Sequence, residues 1–410
     1  MTELLDSGGG KGLPDTEYDN SIIYNVLCQV LFFVRYVIIQ TMRVAILHDY
    51  LTQFGGAERV LMALTELFPH APVFTLMYDR DAARLPIDES RLRTSFLQRW
   101  PGARSHHRYF PLLMPLAVEQ FDLRKYDLVL SNTHSFAKGA LLGSHTLHVS
   151  YCFTPIRYVW DDSHRYVREF SRSPFVQRLA PAALSYIRLW DYYASQRVDT
   201  YLTLSSYVAR RIKKYYRRDA QVIPPHVDVQ RFSVSATNNG YYVIVSRLVP
   251  YKRIELAIEA CERLGRTLLI AGTGPEEESL KKIAGWHTRF LGFVPDGDLP
   301  DLYAGARALL FPQEEDFGIT PLEAAAAGKP TIAFRAGGAV ETIKDHQTGV
   351  FFAEQTVGSL MDAIRTFETG YFKPELIRAH AERFATPIFK ERLQESLERH
   401  LFRHRQLLAV

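Results

Sequence analysis

The sequence predicts an α/β protein made of two doubly wound parallel sheets, one after the other. Two series of short apolar runs, spaced by stretches of helical pattern, carry this reading, because strands covered on both faces lack polar alternation. At 410 residues the chain accommodates two domains of ordinary size. Between the series, residues 224–240 hold prolines and Asn238-Asn239-Gly240, the composition of a linker.

In the front series, strands are expected at 43–47, 73–76, 128–131, 147–151 and 200–204, with helices of 3.6-residue pattern at 57–68 and 207–216. In the back series they are expected at 242–246, 267–271, 290–292, 308–311 and 331–334. Alternation of this kind argues for doubly wound sheets. The domain limits are set at 42–225 and 241–385, with 226–240 as linker and 386–410 as a closing segment. Residues 1–41 form an extension ahead of the first domain.

Composition narrows the class. The chain is 47% hydrophobic and 23% charged, which is globular. Residues 42–220 carry 25 Lys and Arg against 16 Asp and Glu, while the whole chain has a net charge of only +4. A basic front half suits an anionic partner such as a membrane surface or a lipid diphosphate. Nucleic acid is not expected, because no recognition motif accompanies the basic stretch from Arg210 to Arg218. Cys28, Cys152 and Cys261 are far apart and show no C-x-x-C, which fits a reduced, cytoplasmic setting without a zinc site.

Residues 21–40 are apolar but interrupted by Asn25, Gln29 and Arg35, and the segment before them is acidic. A secretory signal would begin basic. Three readings stay open: a membrane-interfacial or spanning anchor, an element docked on the body, or a dispensable upstream extension.

Chemistry concentrates at strand-to-helix junctions. Residues 315–323 read EDFGITPLE, where a strand gives way to a helix rich in small residues. Glu315 falls on the turn and Glu323 about two helical turns along, a spacing that points both at one crevice. Phe317, Gly318 and Ile319 offer backbone N–H groups at a helix start, where a phosphate or sugar hydroxyl is readily held. An amphipathic helix with acidic ends would show the same spacing. Upstream, Arg247 and Lys252 share a loop after the strand at 242–246, and two cations there suit a diphosphate. Gly272 and Gly274 follow the next strand, either as a ligand-binding loop or as an ordinary tight turn.

The front domain has its own set. His48-Asp49-Tyr50 ends the first strand, and Gly55-Gly56 opens the following helix, so backbone can approach a ligand closely. Asp49 is read either as orienting an acceptor hydroxyl or as a satisfied structural carboxylate. His134, after the strand at 128–131, is read either as a ligand contact or as a neighbour of a helix cap. A G-x-G-x-x-G after the first strand is missing, which argues against a dinucleotide-dependent oxidoreductase.

These pieces, with Gly55-Gly56-Ala57-Glu58-Arg59, resemble the retaining glycosyltransferases of family 4, over nearly the whole chain from Met42 to about Leu401. Within that family the chain looks most like the bacterial mannosyltransferases of O-antigen and exopolysaccharide assembly. The matching stretches are HDYLTQFGGAERVL, MPLAVEQFDLRKYDLVLSNTHSFAKG, TPIRYVWD, VARRIKKYY, SRLVPYKRIELAIEA and FPQEEDFGITPLEAAAAGKP. The resemblance implies the GT-B architecture, two Rossmann-like domains facing across a cleft, with the last helix, for which 386–401 is the candidate, returning to the front domain.

It also implies roles. Arg247, Lys252 and the amides of Phe317, Gly318 and Ile319 would hold the diphosphate of a sugar-nucleotide donor, GDP-mannose or alternatively a UDP-sugar. Glu323 would hold the ribose and Glu315 the sugar hydroxyls. Gly55, Gly56, Gly272, Gly274 and Val294 would line the nucleotide site, with His134 and Asp49 near the reacting centre. The acceptor would be a lipid-linked saccharide at an inner membrane to which the enzyme is peripheral, its wall drawn from residues 114–122 and 154–161, including Arg157, Trp160 and Asp161. No further cofactor is implied. Asp296-Gly297-Asp298 mimics a metal-binding Asp-x-Asp, but is read as a helix start, so no metal is expected.

Two departures stand out. Phe153-Thr154-Pro155 lies where these enzymes usually present His-Thr-Pro, so either His134 or His148 compensates or the sugar is held differently. Pro225-His226 precedes Val227-Asp228 where Asn-Gly is usual. A non-catalytic sugar-nucleotide sensor of the same fold is the second reading.

Overall fold

A computed structural model describes residues 42–102, 110–161, 163 and 174–409. The readings of the apolar segment at 21–40 lie outside them. Two parallel sheets account for all the strands described. The first runs in the order β3-β2-β1-β4-β5-β6-β7. It comprises β1 (Val44–His48), β2 (Val73–Thr75), β3 (Leu92–Thr94), β4 (Leu128–Thr133), β5 (Leu147–Cys152), β6 (Thr200–Thr203) and β7 (Ala220–Val222). The second, in the order β10-β9-β8-β11-β12-β13, comprises β8 (Tyr241–Val245), β9 (Thr267–Ala271), β10 (Thr288–Gly292), β11 (Ala306–Phe311), β12 (Thr331–Phe334) and β13 (Gly349–Phe352). The fold is α/β with two Rossmann-like domains.

Central strands are where the sequence put them, because burial on both faces demands continuous apolar runs. Every residue of β1, β4 and β5 is buried. Ile46 pairs in register with Leu130, and Leu130 with Val149. Three strands escaped the reading: β3, β7 and β13, all at sheet edges. Leu92-Arg93-Thr94 and Ala220-Gln221-Val222 are exposed or half-buried, so they carry no apolar run to notice.

Each sheet reverses its winding at one point, between β1 and β4 in the first and between β8 and β11 in the second. Loops leaving adjacent strands there diverge to opposite faces and open a crevice at the strands' carboxyl ends, the usual ligand position in such sheets. Those four loops carry Asp49, His134, Arg247 and Glu315.

The closing helix spans Thr386–Leu408, seven residues beyond the expected end. It lies against the first sheet's domain: Phe389 meets the Tyr151 ring edge-on at 6.0 Å, and Ser396 Oγ donates to Gln221 Oε1 at 2.8 Å. Among the described residues no helix is long and apolar enough to cross a membrane.

A buried ion pair braces the front domain from inside. Lys138 Nζ lies 2.5 Å from Asp191 Oδ1, both side chains wholly buried. Asp191 Oδ2 also accepts from Trp160 Nε1 at 2.7 Å and from Tyr216 Oη at 2.8 Å. The pair joins the turn after β4 to the long helix Pro174–Gln196. Lys138→Met would strand a carboxylate away from water, at a cost of about 3 kcal/mol or more. Denaturant unfolding should show that loss in the front domain's transition, and a change below about 1 kcal/mol would mean the pair is dispensable.

Candidate functional site

The loop from Glu314 to Gly318 occupies the centre of the cleft. It leaves β11 and enters the helix Ile319–Ala326 through Gly318, whose φ of 91° only glycine adopts without strain. No side chain caps this helix, and its first amides have no intrahelical acceptor. Two cavities flank the loop. One, of about 400 Å³, is lined by Gly55, Gly56, His134, Phe153, Lys252, Glu315 and the 316–320 segment, among others. The other, of about 440 Å³, is lined by Tyr50, Met114, His134, Arg157, Tyr158, Arg247 and Glu315, among others. They share Gln53, His134, Tyr251, Glu315 and Asp316, so they form one divided trough.

Lys252 projects from the short turn Pro250–Lys252, and its ammonium pairs with Glu315 Oε1. Arg247 is exposed beside the second cavity and has no ion-pair partner among the described residues. It is therefore a cation available to an entering anion. Gly56 abuts the back domain so closely that a Cβ there would sit 2.8 Å from Ile319 Cδ1. The Glu58 carboxylate reaches back to accept from the Gly55 N–H at 2.8 Å, fixing this glycine turn at the helix start.

Asp49 is wholly buried, and its second reading, a satisfied carboxylate, fits its contacts. It accepts from the amides of His134 at 2.7 Å, Phe136 at 2.7 Å and Ala137 at 2.6 Å, and from Thr133 Oγ1 at 3.1 Å. Burial works to raise this carboxyl, but the nearby His134 and His48 and these amides outweigh it and hold it below its ordinary value. Its remaining reach goes to His134 Nδ1 at 3.1 Å. Asp49 therefore orients His134, whose Nε2 lies 3.0 Å from Tyr50 Oη at the junction of the two cavities.

Glu323 is held by protein partners. Glu315 lines both cavities, but Glu323 lines neither and is 3% exposed. Its oxygens are taken by Arg59 and Tyr303. Gly272 and Gly274 pack against the neighbouring loop instead of a cavity, since a Cβ on either would fall 1.9 Å from Ser246 O or 2.2 Å from Leu248 O. The tight-turn reading suits them. Val294, in the loop after β10, lines neither cavity. Asp298 holds the N-cap position of the helix Leu299–Ala304 without bonding it through its side chain, and Asp296 pairs with Arg59 at 3.0 Å. Among the described residues no three His, Cys, Asp or Glu are grouped to hold a metal ion.

The sequence does not show one of the pairings that join the halves. Asp316 Oδ1 lies 2.7 Å from Arg157 Nη2 and 2.9 Å from Arg211 Nη1, so two front-domain guanidiniums grip one back-domain acid. Burial pushes the Asp316 carboxyl up, against the pull of both arginines. Arg211 belongs to the basic stretch from Arg210 to Arg218. It is buried beside Val208 and Ile212 on the inner face of the helix Ser206–Tyr216. That spacing of three and four residues was the available signal. Asp161, expected on the acceptor wall, instead pairs with Arg211.

Phe153 lines the first cavity beside His134. His148 does not substitute for a histidine there. It is buried within β5, with Nε2 2.9 Å from Ser131 Oγ, and burial pushes its imidazole down to about 3. Of the two histidines, only His134 reaches the cleft.

This double-Rossmann arrangement, with its trough at two winding reversals, defines the class. Residues 54–231 match the family model described as Glycosyltransferase Family 4, and residues 228–384 the one described as Glycosyl transferases group 1. The chain thus carries a family 4-type glycosyltransferase domain followed by a group 1-type domain. It is 32% identical over 198 residues to a GDP-mannose-dependent alpha-(1-6)-phosphatidylinositol monomannoside mannosyltransferase of Mycobacterium tuberculosis, covering 40% of this chain and 51% of that protein. It is 30% identical over 203 residues to a glycogen synthase of Pseudomonas syringae pv. tomato, covering 46% of this chain and 39% of that protein. The chain thus spans about half the first relative's length and less of the second.

Among solved structures, sucrose-phosphate synthase from Thermosynechococcus elongatus superposes with a TM-score of 0.65 at 17% identity, covering 87% of this chain and 99% of that one. Anabaena HepE in complex with UDP and glucose gives 0.63 at 18% identity, with the same coverage. The architecture is therefore GT-B.

His148 has a consequence for acid stability. Its folded-state affinity for a proton lies below the ordinary 6.5, so the unfolded chain protonates first. Stability from this group is full above about pH 6.5 and drains as pH falls toward 3. Melting temperatures of a His148→Gln variant should decline less than wild type between pH 7 and 4.5. Parallel declines would show that His148 is not the cause.

Proposed function

We propose that the protein is a retaining glycosyltransferase moving a hexosyl group, mannose from GDP-mannose, onto a lipid-linked saccharide of bacterial surface polysaccharide assembly. One observation carries the reading: both winding reversals open on a single trough that brings Lys252, Arg247 and an uncapped helix start together. Cations and oriented amides at that spacing suit a nucleoside diphosphate leaving group. The mannosyltransferase relative named for GDP-mannose supports the donor.

In this reading the diphosphate lies between Lys252, Arg247 and the amides of Phe317, Gly318 and Ile319. Glu315, freed from Lys252 as phosphate takes its place, meets the sugar hydroxyls. Glu323 takes the ribose. His134, oriented by Asp49, meets the donor sugar or the acceptor hydroxyl at the trough's junction. The bond from anomeric carbon to phosphate oxygen breaks with its electron pair going to the nucleoside diphosphate. The acceptor oxygen bonds to the same face, and the departing phosphate oxygen takes its proton.

The acceptor approaches along the second cavity, past Met114, Arg157 and Tyr158. Its lipid part fits a cytoplasmic enzyme peripheral to the inner membrane, as does the basic front half. A second reading, a UDP-sugar donor, is favoured by the UDP and glucose bound by HepE.

Incubation with GDP-mannose or UDP-glucose separates the readings from a sensor. An enzyme releases nucleoside diphosphate slowly even without acceptor, whereas a sensor binds without hydrolysis. Lys252→Ala should cut turnover roughly a hundredfold, the usual effect of removing one charge-stabilising donor. A rate within about threefold of wild type would remove Lys252 from the mechanism.

A further inference from the structure

Arg59 leaves the front-domain helix Gly56–Leu67 and crosses to the back domain. Its Nη1 lies 2.6 Å from Glu323 Oε1, and its Nη2 lies 3.0 Å from Asp296 Oδ2. Tyr303 Oη donates to the other Glu323 oxygen at 2.9 Å. Both oxygens of this buried carboxylate are thus engaged, and a guanidinium stands on one of them. Asp296, half-exposed, is shared with Arg231 at 3.4 Å. The Arg59 carbonyl lies 3.2 Å from His226 Nε2, so the arm's root is tied to the segment joining the domains.

We propose that Arg59 is a latch: with the site empty it occupies the carboxylate that holds the donor's ribose, and a nucleotide must displace it. This rests on the reading of Glu323 as the ribose contact.

The chemistry favours an exchange over an obstruction. A buried carboxylate left without a partner is costly, so an empty site needs a cation there. A ribose diol brings two O–H donors and can replace it. The displaced guanidinium keeps Asp296, so neither charge is stranded. The exchange also couples the halves, because Arg59 belongs to one domain and Glu323 to the other. A nucleotide entering at the back domain thereby releases a front-domain helix at the Gly55-Gly56 turn, which lines the same trough. Apparent nucleotide affinity is then reduced by the fraction of molecules whose latch is closed.

Calorimetry of the full chain with GDP and with UDP tests this on wild type, Arg59→Ala, Arg59→Met, Glu323→Gln and the double variant Arg59→Met/Glu323→Gln. Arg59→Met keeps the packing of the stem and guards against loss of folding. Removing the guanidinium should tighten binding of the preferred nucleotide by about tenfold, the effect of freeing a site latched nine times in ten. In the Glu323→Gln background, which binds weakly, the same removal should gain nothing. Equal or weaker binding by folded Arg59→Met overturns the latch, as does an equal gain in both backgrounds. If Glu323→Gln binds as tightly as wild type, the ribose contact fails and the latch with it. If no folded variant binds either nucleotide, the glycosyltransferase reading itself falls.

Discussion

The two domains are joined through Asp316. Two arginines from the front domain close on one oxygen of this acid, and Ser205 Oγ donates to its backbone carbonyl at 2.6 Å. A second acid repeats the motif nearby: Glu341 of the back domain accepts from the amides of Ser206 and Tyr207 at 3.0 and 3.1 Å. That places a negative charge on the start of the helix Ser206–Tyr216, where its dipole welcomes one. The same helix then delivers Arg211 to Asp316. Removing either acid would leave guanidiniums or helix amides facing a partly dry gap, so the contact is cheap to keep and expensive to break.

Position follows from that clamp. Asp316 lies between Glu315, which lines both cavities, and Phe317, which begins the uncapped helix entry. Fixing Asp316 therefore fixes the height of the amide cluster above the front-domain loops. On the opposite wall, Asp49 does the equivalent work by satisfying three amides and holding His134 at one ring nitrogen. Each wall thus uses a carboxylate engaged by protein donors to hold a neighbouring group in place. Orientation of this kind is set before a ligand arrives, so little of the binding energy is spent on arranging the site.

Much of this was legible in the sequence, and the limits have physical causes. Central strands announce themselves because burial on two faces excludes polar residues; edge strands such as Leu92–Thr94 do not. The loops bearing Asp49, His134, Arg247 and Glu315 were found because winding reversals put ligands at strand ends. Side-chain direction was not found. Helical spacing puts Glu315 and Glu323 near one another, but the local sequence does not show that Arg59, 264 residues away in the chain, claims Glu323. Arg211 is one of six basic residues between Arg210 and Arg218, and only its place among Val208, Ile212 and Tyr216 marks it as belonging to the inner face. By sequence Gly272 and Gly274 fit either a ligand-binding loop or a tight turn, and in the structure they allow one loop to cross another at contact distance.

The most direct measurement is a crystal structure of the full chain with GDP-mannose or its product GDP at saturating concentration. The expected result has the diphosphate oxygens within hydrogen-bond reach of Lys252 Nζ and the amides of residues 317–319, with Glu315 turned from Lys252 toward the sugar. An ordered nucleotide bound elsewhere, with the Lys252–Glu315 pair intact and those amides untouched, would contradict the account.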